Sequence, residues 1–391
     1  MGRKVFMFIQ PTGLMDTDMV QGFTKLNIDL HTEIIKIRKT AEGHTAQLFS
    51  SKNITRILDT FKPEMIFSFN GFGLDNEGNL SHEYAKRGIP FVTWFVDKPR
   101  KVDFKNSYVK SNSYMFVFDR SYMALLKELD FDNIFYLPLA TNPDRFRPLN
   151  DTAKEKNICF IGDSDYKTIR YLAANIDNML GDSSDIFFEA VETAINKQGE
   201  SVGVATRGVL KDVMNSFSID FEAFPDIIKD MLEGFVEREA SLRLRFEVIG
   251  RLAKSFELVV HGDEIWTKIV GSGWKGKVNY FDDAVVRVYN RHAVHINISK
   301  FQLTQAVNQR PFDVSACESL LLTDERNDLR DLFAHDEIAS YKNIEDLIYK
   351  AGYFLNNDVE RKEMAKRARS RVLACHTYSH RADEIFRTVL S

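Results

Sequence analysis

The chain has 391 residues, too long for one ordinary domain and a natural length for two. Hydrophobic residues make up 44% of it, with 31 phenylalanines, enough for two sizeable cores. A net charge of −4 spread over 28% charged residues gives no support to general nucleic-acid binding.

Cys159, Cys317 and Cys375 are far apart and odd in number. They read as reduced thiols of a cytoplasmic protein, with no disulfide or zinc framework visible. The first apolar run, Val5 to Ile9, is a strand, too short for a signal peptide or a membrane span. In a parallel α/β sheet the loop after it, Gln10-Pro11-Thr12-Gly13, lies at the carboxyl edge, where ligands bind. Asp16-Thr17-Asp18 has a spacing that can hold a divalent metal, but helix-capping acids fit it better, since caps favour Asp and Thr.

A helix from Thr55 to Phe61 precedes a strand from Met65 to Phe69, which runs into Asn70-Gly71-Phe72-Gly73. Enough glycine stands there to let backbone come near a ligand. The helix holding His82 leads into a strand from Ile89 to Asp97. Further strands are expected at Tyr114 to Phe118 and at Ile134 to Ala140.

Residues 149–156 are polar and form a reasonable domain boundary. A new strand, Asn157 to Ile161, then enters Gly162-Asp163-Ser164, which suggests a second Rossmann-like unit. Asp163-Ser164-Asp165 repeats the two-acid spacing and takes the same bland reading. Residues 165–255 read as several helices, among them Phe221 to Glu237 and Arg238 to Ser255, a helical insert. Phe256 to His261 returns to strand ahead of Gly262-Asp263-Glu264. A short strand, Val278 to Tyr280, and an amphipathic helix, Asp282 to Tyr289, follow.

Val294, Ile296 and Ile298 alternate with His295, Asn297 and Ser299, the period-2 signature of a strand. Asn308, Gln309 and Arg310 fill the polar loop behind it, and Pro311 opens a short helix, where its missing N–H costs nothing. Asp313 falls in that helix's first turn, a favourable place for a carboxylate. Leu320 to Leu322 form the next buried strand, and the chain after Phe333 reads as helical. Strand, loop, helix start and strand make the layout of an α/β nucleotide site. Its helix start and Arg310 would face phosphates, and Asp313 would be available to a sugar hydroxyl.

This stretch resembles the C-terminal signature of the CgeB-like (spore-coat type) glycosyltransferases: Asn308, Arg310, Phe312 and Asp313, then Ser315, Ala316 and Cys317, then an apolar strand ending in Thr323. Two positions depart from the family pattern. Asp313 stands for its Glu, and Glu318, a bulky acid, for its Gly, where backbone would approach the phosphates. Trp94-Phe95-Val96-Asp97-Lys98-Pro99, YLPLATNPDRFRP, LVVHGDEIW, GKVNYFDDAVVRVYN and ACHTYSHRADEIF are similar to the same family.

The resemblance implies the GT-B fold: two Rossmann-like α/β domains facing a central cleft, with the helical insert in the second. Domain one would be 1–148, with the final helix 377–391 packing back on it, and domain two 149–376. The resemblance implies transfer of a hexosyl unit from a nucleoside-diphosphate sugar to a protein or glycan hydroxyl, with no cofactor and no metal. Donor-binding candidates are Asn308, Arg310, Asp313, Gly162, Gly262 and Tyr280, against a salt bridge for Arg310 and dipole compensation for Asp313. Asp97 is the candidate base, its pKa raised by partial burial, against a loop-capping role; His82 and Asp16 are outsiders. His292 with His295 and His376 with His380 read as structural histidines. The basic residues between Arg361 and Arg371 could touch an acidic membrane surface weakly, but acids such as Glu360 alternate with them, which fits a solvated face better. Two other classes share such a fold: a nucleotide-sugar epimerase or hydrolase, and a non-catalytic nucleotide-sugar-binding protein.

Overall fold

The computed structural model describes residues 3–390 except 11–12, 40–44, 49, 76, 105–106, 151–153, 182–183 and 201–202. Parts of the loop read after the first strand and of the polar boundary therefore lie outside the described residues. The chain divides into two compact units, Met1–Asn142 with Cys375–Ser391, and Pro143–Ala374.

The first unit runs β1 (Lys4–Ile9), α1 (Leu14–Lys25), β2 (Asp29–Ile34), a hairpin of β3 (Lys36–Lys39) and β4 (Thr45–Leu48), α2 (Ser51–Phe61), β5 (Met65–Phe69), α3 (Asn79–Lys86), β6 (Phe91–Phe95), β7 (Ser113–Val117), α4 (Tyr122–Glu128) and β8 (Ile134–Tyr136). Its main sheet has the order β2-β1-β5-β6-β7-β8, and every pairing in it is parallel. The strand expected over Ile134 to Ala140 stops at Tyr136.

In the second unit come β9 (Glu155–Ile161), the helices α5 (Tyr166–Leu180), α6 (Ser184–Glu200), α7 (Thr206–Ser216) and α8 (Asp226–Ser255), then β10 (Leu258–His261), α9 (Thr267–Val270), α10 (Ala284–Arg291), β11 (His292–Asn297), α11 (Arg310–Ala316), β12 (Leu320–Asp324), α12 (Leu329–Leu332), β13 (Ala339–Tyr341), α13 (Ile344–Asn356) and α14 (Asp358–Cys375). Its sheet, β10-β9-β11-β12-β13, is again wholly parallel. The final helix, α15 (Tyr378–Leu390), belongs to the first unit. Gly22 of α1 makes room for it: a Cβ there would lie 2.8 Å from the Tyr378 backbone. Arg381 fixes α15 by donating to the carbonyls of Pro138 at 2.6 Å and Leu139 at 2.9 Å.

Three sequence readings are corrected. Val278 to Tyr280 is irregular chain, not a strand, and pairs with no neighbour along its length. The chain after Phe333 holds a strand, β13, as well as helices. The two helices read over 221–255 are one: α8 starts after Pro225 and runs 30 residues without a break. Its continuity follows from the two cores that it serves. Leu232, Val236 and Ala240 pack in a helical core with α6 and α7, while Val248, Ile249 and Leu252 cover the sheet on Ile158, Phe160, Val260 and Val294.

The basic residues of α14 also have a use inside the second unit. Arg369 donates to the carbonyl of Ala316 at 3.2 Å, Arg371 to that of Leu332 at 2.9 Å, and Arg361 to that of Phe354 at 2.8 Å. Among the described residues no helix is long and apolar enough to cross a membrane.

Candidate functional site

In both sheets the chain leaves the first strand toward one edge and later returns to its other side. Ligands of open parallel sheets bind at the carboxyl ends of the two strands that flank such a switch. Those strands are β9 and β11 in the second unit, β1 and β5 in the first.

At the end of β11 the buried Asn297 organises the loop. Its Oδ1 accepts from Asn308 Nδ2 at 2.8 Å and from Arg310 Nη1 at 3.2 Å, and its Nδ2 donates to Thr323 Oγ1 at 2.9 Å. Asn308 in turn accepts the backbone N–H of Arg310 at 3.1 Å. The strand end thus holds Arg310 through two asparagines, and among the described residues the buried Arg310 Nε has no hydrogen-bond acceptor.

A second guanidinium, which the sequence reading missed, reaches the same place from α8. Arg245 is 3% exposed and donates to the carbonyls of Ile298 at 2.6 Å and Asp163 at 3.1 Å, just beyond β11 and β9. Its Nε is likewise buried without an acceptor. Burial, and then the charge of Arg310, pull its pKa down to about 10. Lys300 stands beside them, its pKa lowered by burial and then by Arg245, and Asp165 is its ion-pair partner. The acids of Asp163-Ser164-Asp165 are therefore engaged by lysines, Asp163 with Lys277 at 2.7 Å. Arg245 and Arg310 each keep an Nε–H without an acceptor among the described residues, with the Asp165-paired Lys300 beside them. An anionic ligand would relieve the repulsion of the two guanidinium groups and satisfy those N–H groups.

Asp313, on α11, is fully buried, and its Oδ1 accepts from Gln309 Nε2 at 3.1 Å. It acts electrostatically on Tyr280, whose phenol is pushed up to about 12, first by burial and then by this carboxylate. Tyr280 hydrogen-bonds Tyr289, and both rings pack near Phe146, at centroid distances of 6.5 and 6.1 Å.

Gly162 and Gly262 sit at the ends of β9 and β10, and the protein itself uses their lack of a side chain. A Cβ on Gly262 would lie 2.3 Å from the Gly162 carbonyl, which accepts from Trp266 Nε1 at 2.8 Å. Glu318 lies beyond the C-terminus of α11, not beside Arg310, and has φ +52. The position is a left-handed turn that closes the helix, a conformation that favours glycine.

In the first unit Asp97 follows β6 and is exposed, so the partial burial expected for it is absent. Asn70, at the end of β5, holds it. The Asn70 Oδ1 accepts from the N–H of Val96 at 2.9 Å and of Asp97 at 3.2 Å, while its Nδ2 donates to the Asp97 carboxylate at 2.9 Å. The glycines between serve packing: a Cβ on Gly71 would lie 2.2 Å from the Tyr108 hydroxyl, and one on Gly73 would lie 2.2 Å from the Phe8 ring. Asp16 is 5% exposed, accepts the Gln10 N–H at 3.2 Å, and fills the space beside Gly13. Burial raises its pKa to about 6 against those backbone bonds. His82 faces its own helix start, its Nδ1 at 2.8 Å from the Gly78 carbonyl.

Residues 238–387 match a family model described as glycosyl transferase-like. No curated protein sequence matches the chain. Among solved structures it is similar to a glycosyltransferase from Rickettsia africae ESF-5, at 11% identity over 100% of this chain and 99% of that one, TM-score 0.56. It is also similar to a glycosyltransferase involved in avilamycin A biosynthesis, at 11% identity over 99% and 97% of the two chains, TM-score 0.52. A third is HepE of Anabaena in complex with UDP, at 6% identity over 99% of each chain, TM-score 0.50. The shared architecture is that of GT-B glycosyltransferases, two Rossmann-like domains, and identities this low speak to the fold alone.

Proposed function

We propose that the protein is a glycosyltransferase of the CgeB-like kind, which moves a hexosyl unit from a nucleoside-diphosphate sugar to a hydroxyl of a protein or glycan. The observation that carries this reading is the meeting of Arg245 and Arg310 at the β9–β11 switch, each with a buried, unsatisfied Nε–H. A donor diphosphate supplies the oxygens and the charge that these groups lack.

In this reading the bond from the sugar's anomeric carbon to the diphosphate breaks, and the acceptor oxygen bonds to that carbon. Arg245, Arg310 and Lys300 stabilise the departing diphosphate, a task that needs no metal when basic side chains are in place. Asn308 orients Arg310. Asp313 and Tyr280 shape the ribose or sugar end, and Gly162 and Gly262 let the loops after β9 and β10 approach the nucleotide. The acceptor's proton goes to Asp97, which Asn70 orients. Asp16 is the second candidate base, favoured by its pKa of about 6.

Isothermal titration of the full chain against UDP-, GDP-, CMP- and dTDP-sugars tests the donor site. No binding to any member would overturn it. Mass spectrometry of the products then separates transfer to an added acceptor from epimerisation or hydrolysis of donor alone.

A further inference from the structure

Successive residues of a strand face opposite sides of its sheet. On β9, Ile158 and Phe160 face the core under α8, so Asn157 and Cys159 face the other way. Val259 and His295 pair with Cys159, His261 pairs with Ile161, and His292 pairs with Glu155, which puts His261, His292 and His295 on that same second face. Three neighbouring strands therefore bring a thiol and three imidazoles together.

Three of these groups converge. The ligand atoms of Cys159, His261 and His292 all lie within 4.8 Å of one another. Tetrahedral zinc with one thiolate and two imidazoles brings such atoms to ~3.5 Å, so side-chain rotations of about an ångström close the gap. Oxygen acceptors also fix the tautomers. His292 Nδ1 is 2.7 Å from Asn157 Oδ1, and His261 Nδ1 is 3.3 Å from the Gly276 carbonyl. An N–H facing each of these oxygens leaves the lone pair of a neutral ring on Nε2. Metal-bound histidines are held in this way, with the far nitrogen donating to an amide, carbonyl or carboxylate. Behind Asn157 stands Glu155, 3.7 Å from His292 Nδ1 and bonded to Arg291 at 2.7 Å. His295 is otherwise engaged, its Nε2 at 2.9 Å from the Tyr289 carbonyl.

We propose that Cys159, His261 and His292 form a binding site for one zinc-class divalent cation. A thiolate with two imidazoles suits zinc and rejects magnesium and calcium, which take oxygen ligands. Binding forms one metal–sulfur and two metal–nitrogen bonds, and the Cys159 thiol proton passes to solvent. Three protein ligands leave one position to water, and the half-exposed His261 gives the ion its way in. The ion would tie β10 and β11 to β9, the strands whose ends carry Gly262, Asn297 and Gly162.

Cobalt titration of the chelator-treated full chain, followed by absorbance, tests this. One equivalent should produce a thiolate-to-cobalt charge-transfer band that one equivalent of zinc abolishes. The band should survive Cys317→Ala and Cys375→Ala and be lost in Cys159→Ala, with circular dichroism checking the fold of each variant. Asn157→Ala should weaken zinc binding about 10–100-fold through the histidine that it orients. Absence of the band from the wild-type chain, or its loss in Cys375→Ala alone, would overturn the site even if Cys159→Ala fails to fold.

Discussion

Arg245 and Arg310 meet at the carboxyl ends of β9 and β11 although they belong to different helices, α8 and α11. Each is anchored through a terminal nitrogen, and in each the Nε–H is buried without an acceptor among the described residues. Burial and the charge of Arg310 both disfavour the Arg245 cation, and a bound diphosphate would offset them. If the donor panel shows UDP binding, Arg245→Gln and Arg310→Gln should each weaken it by roughly 1.5–3 kcal/mol, the worth of a charge-assisted hydrogen bond. Lysine should not restore it, because the anchoring bond and the Nε–H come from one planar group. Calorimetry with UDP checks this, and unchanged affinity in both glutamine variants would remove the diphosphate from this place.

Asn70 and Asp97 give the corresponding prediction for the first unit. Asp97→Asn keeps an oxygen and the backbone bonds but cannot take a proton. It should leave UDP affinity unchanged and lower kcat by about 100-fold or more, the usual worth of a positioned base. Asn70→Ala should lower kcat less and by the same route, since the loop loses three bonds. A fully active Asp97→Asn would pass the role to Asp16, whose own substitution then becomes the deciding measurement.

The parts of this fold legible in the sequence are those with a strong period or a single dominant cause. The apolar runs of β1, β5, β9 and β12, and Pro311 at the start of α11, are of that kind. The strand β2 escaped because DLHTEI is an edge strand that is half wet on both faces, so no alternation shows. Arg245 was hidden for another reason. It is one of several arginines on α8, and nothing local separates it from Arg238 or Arg243. Only its turn toward the sheet, set by the packing of Val248, Ile249 and Leu252, buries it. Glu318 was legible as a departure from the CgeB-like pattern that the stretch resembles, but its cause was not, because φ is invisible in a sequence.

Asp16 predicts a pH dependence. Its folded pKa, about 6, lies above its ordinary 3.8, so the folded first unit holds this proton more tightly than the unfolded chain. The associated stability is fully present below pH 3.8 and is lost as pH rises toward about 6. The full difference corresponds to roughly 3 kcal/mol. Asp16→Asn still offers an oxygen to the Gln10 N–H but carries no charge. It should therefore stabilise the first unit at pH 7–8 by up to about that amount, and change little near pH 4. Urea unfolding at both pH values measures this, and equal effects at the two would show that the carboxyl is not buried as charge.

Glu318 offers a test confined to backbone conformation. After α11, the Ser319 N–H bonds the Val314 carbonyl at 3.2 Å and the Glu318 N–H bonds that of Ser315 at 2.9 Å, a closing turn that needs positive φ. A residue with a Cβ at φ +52 carries a cost of about 1 kcal/mol that glycine avoids. Glu318→Gly should therefore stabilise the second unit by a little under that amount, since glycine also loosens the unfolded chain. UDP affinity should not change, because position 318 follows the helix whose other end carries Arg310. A tighter UDP complex in Glu318→Gly would instead mean that backbone at this turn does reach the phosphates, and the turn would have to be counted as part of the donor site.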